Sequence, residues 1–372
     1  MQNQFFPGWL PIQVASHYGF PLADWDGAGQ TIAIISLGGK LDENDLRRDF
    51  RAMRIAWPDI TIKDVSESYE EWQDNGSTAE THLDLEVIGT VCSGARITIY
   101  RGANDGGPGF VEAVKQAVRD DNDVISISWG HSESASDADA TQMEGALKDA
   151  AAKGITICVA AGDGGSSDAR KGFHAIPADD GLAHVQYPAS SAYVLACGGT
   201  QLMLNGDEHV EVVWNNSAMK RPATGGGVSD LFEPPDWQVD HAGHILSAND
   251  GMRKGRVIPD VAALAAGGAW EMVEDGKTVV AGGTSAVAPL FASLIALCNQ
   301  RRASVGKKRL GFLNARLYKL AKSGELFNNI TAGHNRPVED YPGYDAQHGF
   351  DACTGWGSPK TEALFEALVN LP

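Results

Sequence analysis

Residues 97–160 decide the fold. They alternate short apolar runs with helical patterns: Ile97–Tyr100 (ITIY), Gly109–Arg119 (GFVEAVKQAVR), Val124–Ser128 (VISIS), Ala140–Ala152 (ATQMEGALKDAAA) and Ile155–Ala160 (ITICVA). The apolar runs are rich in β-branched residues and short, as buried strands are, while the longer segments carry apolar residues at helical spacing. Upstream, Thr31–Leu37 reads as another buried strand, and Glu43–Met53 and Ala79–Cys92 read as helices. Such alternation predicts an α/β fold with a mainly parallel central sheet and helices on both faces. In these sheets ligands gather at the carboxyl ends of the strands. The second half is looser, with a Gly/Pro-rich region from Thr224 to Pro235 and a further helix near Asn314–Ala321.

The chain has 372 residues and shows no internal repeat, low-complexity tract or clear linker, so residues 1–372 are expected to form a single domain. With 43% hydrophobic and 21% charged residues the composition is that of a water-soluble globular protein. No apolar stretch approaches the roughly 20 residues needed to span a bilayer, which argues against a membrane partner. The net charge of −18 argues against nucleic acid, whose phosphates it would repel. Acidity of this degree fits either solubility or life in acid, where about half of the carboxylates would be protonated near pH 4. Cys92, Cys158, Cys197, Cys298 and Cys353 form no metal spacing and are read as buried free thiols. The N-terminal run MQNQFFPGWLPIQ lacks the cationic start and long apolar core of a signal peptide. An intracellular protein and the mature portion of a longer precursor are both consistent with it.

Chemistry concentrates in three segments. Gly282–Pro289 (GGTSAVAP) directly precedes the apolar run Leu290–Leu297. A glycine-tight turn entering a helix there would expose Ser285 at a helix N-terminus, where backbone N–H groups stabilise developing negative charge. The same segment also suits a simple N-cap at Thr284 or Ser285. In Glu80-Thr-His-Leu-Asp84 the carboxylates stand at i and i+4, on one helical face, while His82 points elsewhere. A solvated helix face is the other reading. Ala160-Ala-Gly-Asp163-Gly-Gly ends a buried strand, and Gly-Asp-Gly is also turn-prone.

Together these segments resemble the sedolisin family, the serine-carboxyl peptidases, and within it the kumamolisin branch. The resemblance is carried along nearly the whole chain by IAIISLGG at Ile32, ExxLDxE at Glu80, SISWG at Ser126, AAGD at Ala160, ACGGT at Ala196, TGGGVS at Thr224, PDVA at Pro259, GGTSAVAP at Gly282 and CTGWGSP at Cys353. It implies a subtilisin-like fold and acid-acting endopeptidase activity. By position it implies Ser285 as nucleophile, Glu80 as general base and then acid, Asp84 as the residue orienting Glu80, and Asp163 as oxyanion-hole donor. Ser128, Trp129 and Gly130, with Gly225 and Gly226, are the implied substrate-cleft residues, although Trp129 reads equally well as core and the glycines as a flexible loop. A calcium site near the C-terminus is implied at Asn329, Ile330, Gln347, Gly349 and Asp351. The resemblance further implies peptide or protein substrates, a propeptide in the precursor, a monomer, and secretion into an acidic environment.

The chain departs from the pattern in three places. Ser36 stands where relatives carry a glutamate that extends the carboxylate network, so Glu80 and Asp84 should be less elevated in pKa. Asn329 replaces an expected aspartate, which weakens calcium binding. Gln186 stands where an aspartate would favour basic substrates. Two rivals are a histidine-based subtilisin-like protease and a silent relative that only binds peptides.

Overall fold

The computed structural model describes residues 8–39, 41, 43–65, 76–133, 138–172, 174–205, 208–266, 270–274 and 277–372. Residues 1–7, part of the stretch read for a leader, lie outside these. The first strand, β1 (Thr31–Leu37), is buried on both faces: Ile32 and Ile34 join one core and Ala33 and Ile35 the other. It is followed by β2 (Asp59–Asp64), β3 (Arg96–Gly102), β4 (Val124–Ile127), β5 (Thr156–Ala160), β6 (Leu195–Asn205), β7 (Glu208–Val213) and β8 (Val261–Leu264). These eight strands make one sheet in the order β7-β6-β5-β4-β1-β3-β2, with β8 also paired to β6. Every pairing is parallel except the β6–β7 hairpin at the edge.

The helices are α1 (Pro11–His17), α2 (Glu43–Ala52), α3 (Ser77–Val91), α4 (Pro108–Arg119), α5 (Ala138–Lys153), α6 (Asp236–Ala242), α7 (Thr284–Ser304), α8 (Asn314–Ala321) and α9 (Thr361–Asn370). Apolar residues of α3, α7 and α9 fill the core on one face of the sheet, and those of α4 and α5 fill the other. The expected helices and strands are present, with ends within about two residues of the sequence reading and α8 coinciding with it. The strand β2, DITIKD, escapes that reading because it is a largely exposed edge strand with charged ends. All five cysteines are buried and unpaired.

Two features of the topology place a site. The chain lays β2 and β3 on one side of β1 and β4 to β6 on the other, so the segments leaving β1 and β4 part at their carboxyl ends and open a crevice. The long core helix α7 lies against α3, β4 and β5 and brings its N-terminus to that crevice.

Farther along, the interior is pinned by a buried ion pair. Asp260 Oδ2 accepts from Arg256 Nη2 at 2.6 Å and from the Ala196 N–H at 2.8 Å, and Oδ1 accepts from the Tyr318 hydroxyl at 2.6 Å. Asp260 therefore ties the start of β6 to the entry of β8 and to α8. Both charged side chains are fully buried. Substituting Arg256→Met should leave that carboxylate buried and unpaired and cost about 3–5 kcal/mol of stability. Equilibrium denaturation of the folded chain would register it, and a loss under about 1 kcal/mol would contradict the pinning role.

Candidate active site

Ser285 is the second residue of α7 and is almost fully buried. Helix α7 opens without a side-chain cap: Gly283 at the N-cap position has φ +123°, a conformation favouring glycine. A Cβ there would also fall 2.8 Å from Asp163 Oδ2. The orphan N–H of Thr284 is satisfied from another segment, donating to Asp163 Oδ1 at 2.8 Å, and the Thr284 hydroxyl donates to the same oxygen at 2.9 Å. The Gly162 N–H in turn donates to Thr284 Oγ1 at 3.0 Å. Thr284 thus clamps the turn after β5 to the start of α7, leaving Asp163 Oδ2 beside Gly283 and Arg170. The Arg170 Nη1 lies 3.7 Å from that oxygen.

The carboxylates of α3 meet this point from the other side. Glu80 reaches the Ser285 hydroxyl, and burial, opposed by that hydroxyl, pushes the Glu80 carboxyl up to about 7. Burial and the Glu80 charge push Asp84 well above the usual carboxylate range. Glu80 Oε1 and Asp84 Oδ2 are buried with no protein hydrogen-bond partner. The approach of β1 to this helix requires Gly39, with φ +79°, since a Cβ would fall 2.8 Å from the Thr78 nitrogen. Ser36, in place of the expected glutamate, bonds Thr81 Oγ1 at 2.7 Å. The Glu80 pKa remains high without that anion because burial is the leading cause.

Ser128 sits at the end of β4 with its hydroxyl 2.6 Å from Asp84 Oδ1 and 3.2 Å from the Ser285 carbonyl oxygen. That carbonyl is available because Pro289, four residues on, has no N–H to give it. Trp129 is half-buried against the second core, and its Nε1 is buried without a partner. Gly130 is exposed. Gly225 and Gly226 are buried: the Gly225 N–H donates to the Gly162 carbonyl at 2.7 Å and the Gly226 carbonyl accepts from Asn335. This glycine segment holds the Asp163 turn from behind. Sequence reasoning did not single out Arg170 or the buried Asp168, pushed up to about 7 by burial and bonded to Ser132 at 2.9 Å. Neither residue carries a motif signal.

The C-terminal residues converge but do not make a calcium cage. Asn329 Nδ2 donates to the Gly349 carbonyl at 2.9 Å, the oxygen a cation would need. Asp351 already accepts from the N–H groups of Cys353 and Thr354 at 2.8 Å each, and from the Thr354 hydroxyl and the Gln347 N–H. Its lone pairs are therefore taken by protein donors. Ile330 is buried beside them in a small apolar cluster. As they stand, these residues do not fit a calcium ion, a hard cation that wants six to eight free oxygens.

Residues 72–330 match the model of the subtilase family. Kumamolisin from Bacillus sp. (strain MN-32) is 42% identical over 97% of this chain and 64% of its own length. Sedolisin from Pseudomonas sp. (strain 101) is 32% identical over 89% of this chain and 56% of its own length. The chain thus spans less than two thirds of these relatives. Among solved structures, Pseudomonas sedolisin, a serine-carboxyl proteinase complexed with two molecules of pseudo-iodotyrostatin, superposes with a TM-score of 0.81 at 29% identity, covering 97% of both chains. Sphericase, 16% identical with a TM-score of 0.55, shares the fold. Placed by these matches and by its mainly parallel, subtilisin-like sheet, the chain belongs to the sedolisin family and is kumamolisin-like.

Proposed function

We propose that the chain is a serine-carboxyl endopeptidase that cuts peptide and protein substrates in acid through Ser285, Glu80, Asp84 and Asp163. The observation that carries this reading is the approach of a buried carboxyl group, Glu80, to the Ser285 hydroxyl, with its helical neighbour Asp84 buried beside it. In the proposed step Ser285 Oγ attacks the substrate carbonyl carbon while its proton passes to the ionised Glu80. The carbonyl oxygen becomes an oxyanion. Asp163 Oδ2, when protonated, donates a hydrogen bond to it, since Oδ1 is occupied by Thr284. Glu80 then gives its proton to the leaving amine, and the same sequence with water hydrolyses the acyl-enzyme. Asp84, pushed up by burial and by the Glu80 charge, holds a proton in the acid range where the enzyme would work.

Acid follows from the charges. The working form needs Glu80 ionised and Asp163 protonated. A carboxyl keeps the proton it must donate only in acid. The precursor, with its propeptide, and secretion into an acidic setting suit such an enzyme by analogy with the family.

Three outcomes test the reading. Asp163→Ala should lower kcat by roughly 10²- to 10³-fold, whereas Asp163→Asn, which donates without a proton, should keep more activity and extend it to higher pH. Identical rates and pH limits in the two variants would refute the oxyanion role. Burial pushes Glu80 and Asp168 up to about 7 in the folded chain, above the ordinary 4.5 and 3.8 of these side chains. The folded state therefore binds more protons, and stability should fall as pH rises from about 4 to about 7. Thermal midpoints measured across that range in Ser285→Ala would check the sign. Because Asn329 takes the place of a cation, a chelator should leave the thermal midpoint of the wild type unchanged. Asn329→Asp should instead make that midpoint rise with added calcium.

A further inference from the structure

The carboxyl groups at the centre face a guanidinium that no step of the proposed reaction uses. Arg170 stands on the short hairpin Arg170–Lys171/His174–Ala175. Its Nη1 lies 3.7 Å from Asp163 Oδ2, and its side chain is 46% exposed against 15% for Asp163, so the cation borders the crevice from the solvent side. The charged groups around it come from every neighbouring segment. Asp163 follows β5, Glu80 projects from α3 with Asp84 behind it, and Asp168 closes the Gly165–Ser167 turn with His184 near it. Lys171 and His174 share its hairpin, and Arg221 lies alongside, its carbonyl accepting the Ala175 N–H.

We infer that Arg170 is a positioning residue for the protons of this site, setting the pH range in which Glu80 is ionised while Asp163 keeps its proton. The inference rests on the serine-carboxyl reading. A cation near a carboxylate favours the charged form. Arg170 acts on Glu80 in that direction, against burial, and it pairs with Asp163 directly. For Glu80, easier ionisation lets the base work at lower pH. For Asp163, the pairing favours the ionised form, which cannot donate. Both limbs of the pH–rate profile move the same way, so Arg170 slides the whole active window towards acid. Half exposure and solvent screening keep the effect modest, on the order of half to one pH unit.

The test compares pH profiles of kcat/KM on a fluorogenic peptide for the wild type, R170Q and R170K, each in about 0.05 M and 1 M NaCl. In R170Q both limbs should move up by about half to one unit, R170K should keep the wild-type profile, and high salt should move the wild type towards R170Q. Superimposable profiles for wild type and R170Q would overturn the inference. So would a uniform loss of rate at every pH, which would make Arg170 a substrate anchor. If R170Q fails to fold, judged by its thermal melt, the salt response of the wild type decides alone. An E80Q variant separates the layers: full activity there sinks the carboxylate-base reading itself, whereas an inactive E80Q with unshifted R170Q profiles sinks only the role of Arg170.

Discussion

The site depends on the clamp between Thr284 and Asp163. A helix N-terminus leaves N–H groups without partners, and here the first is satisfied by a carboxyl group delivered from the end of a different strand. That bond fixes the rotation of Asp163 so that one oxygen is consumed and the other faces the crevice. It also seats Ser285, one residue later, against Glu80. The glycine at 283 follows from the same contact, because the carboxyl occupies the space of a Cβ. Ser285, Glu80 and Asp163 are thus brought together by one junction between the sheet and α7. The segment Ala223–Gly226 closes it from behind by pairing with Gly162 and Asp163.

Bringing Glu80, Asp84 and Asp168 out of water costs more the more of them are charged. The same burial that raises their pKa values makes protonation the cheapest relief. A neutral-pH enzyme would fill such a site with an imidazole. Here the destabilised carboxyl groups lean on protons, which ties the proposed chemistry and the stability to the same range of pH.

The parallel sheet was legible because buried strands leave unbroken β-branched runs, as in Thr31–Leu37 and Val124–Ile127. The polar edge strand Asp59–Asp64 leaves no such trace. The carboxylate pair was legible from i, i+4 geometry, but its burial came only with α7 packed against α3. Gly225 and Gly226, read as lining a cleft, are buried where they pack against the turn that carries Asp163, a contact the glycine run alone does not reveal. The Asn329–Gly349 bond was invisible because a sequence shows a missing carboxylate but not the carbonyl its amide will claim. Arg170 was missed for the same reason, since a lone arginine on a short hairpin carries no periodic signal.

The link between Asp84 and the nucleophile's own backbone shows how a local rule reaches the chemistry. Pro289 cannot return a hydrogen bond to the Ser285 carbonyl, so that oxygen must find another donor. The Ser128 hydroxyl lies within reach of it and of Asp84 Oδ1, yet has one hydrogen. With Asp84 ionised, the closer carboxylate competes for that hydrogen and the Ser285 carbonyl goes unserved. With Asp84 protonated, the carboxyl donates to Ser128 Oγ, freeing the Ser128 hydrogen for the carbonyl, and both sites are satisfied. A neutral Asp84 therefore lets Ser128 complete the first turn of α7, so a proton on α3 orders the helix end that carries Ser285.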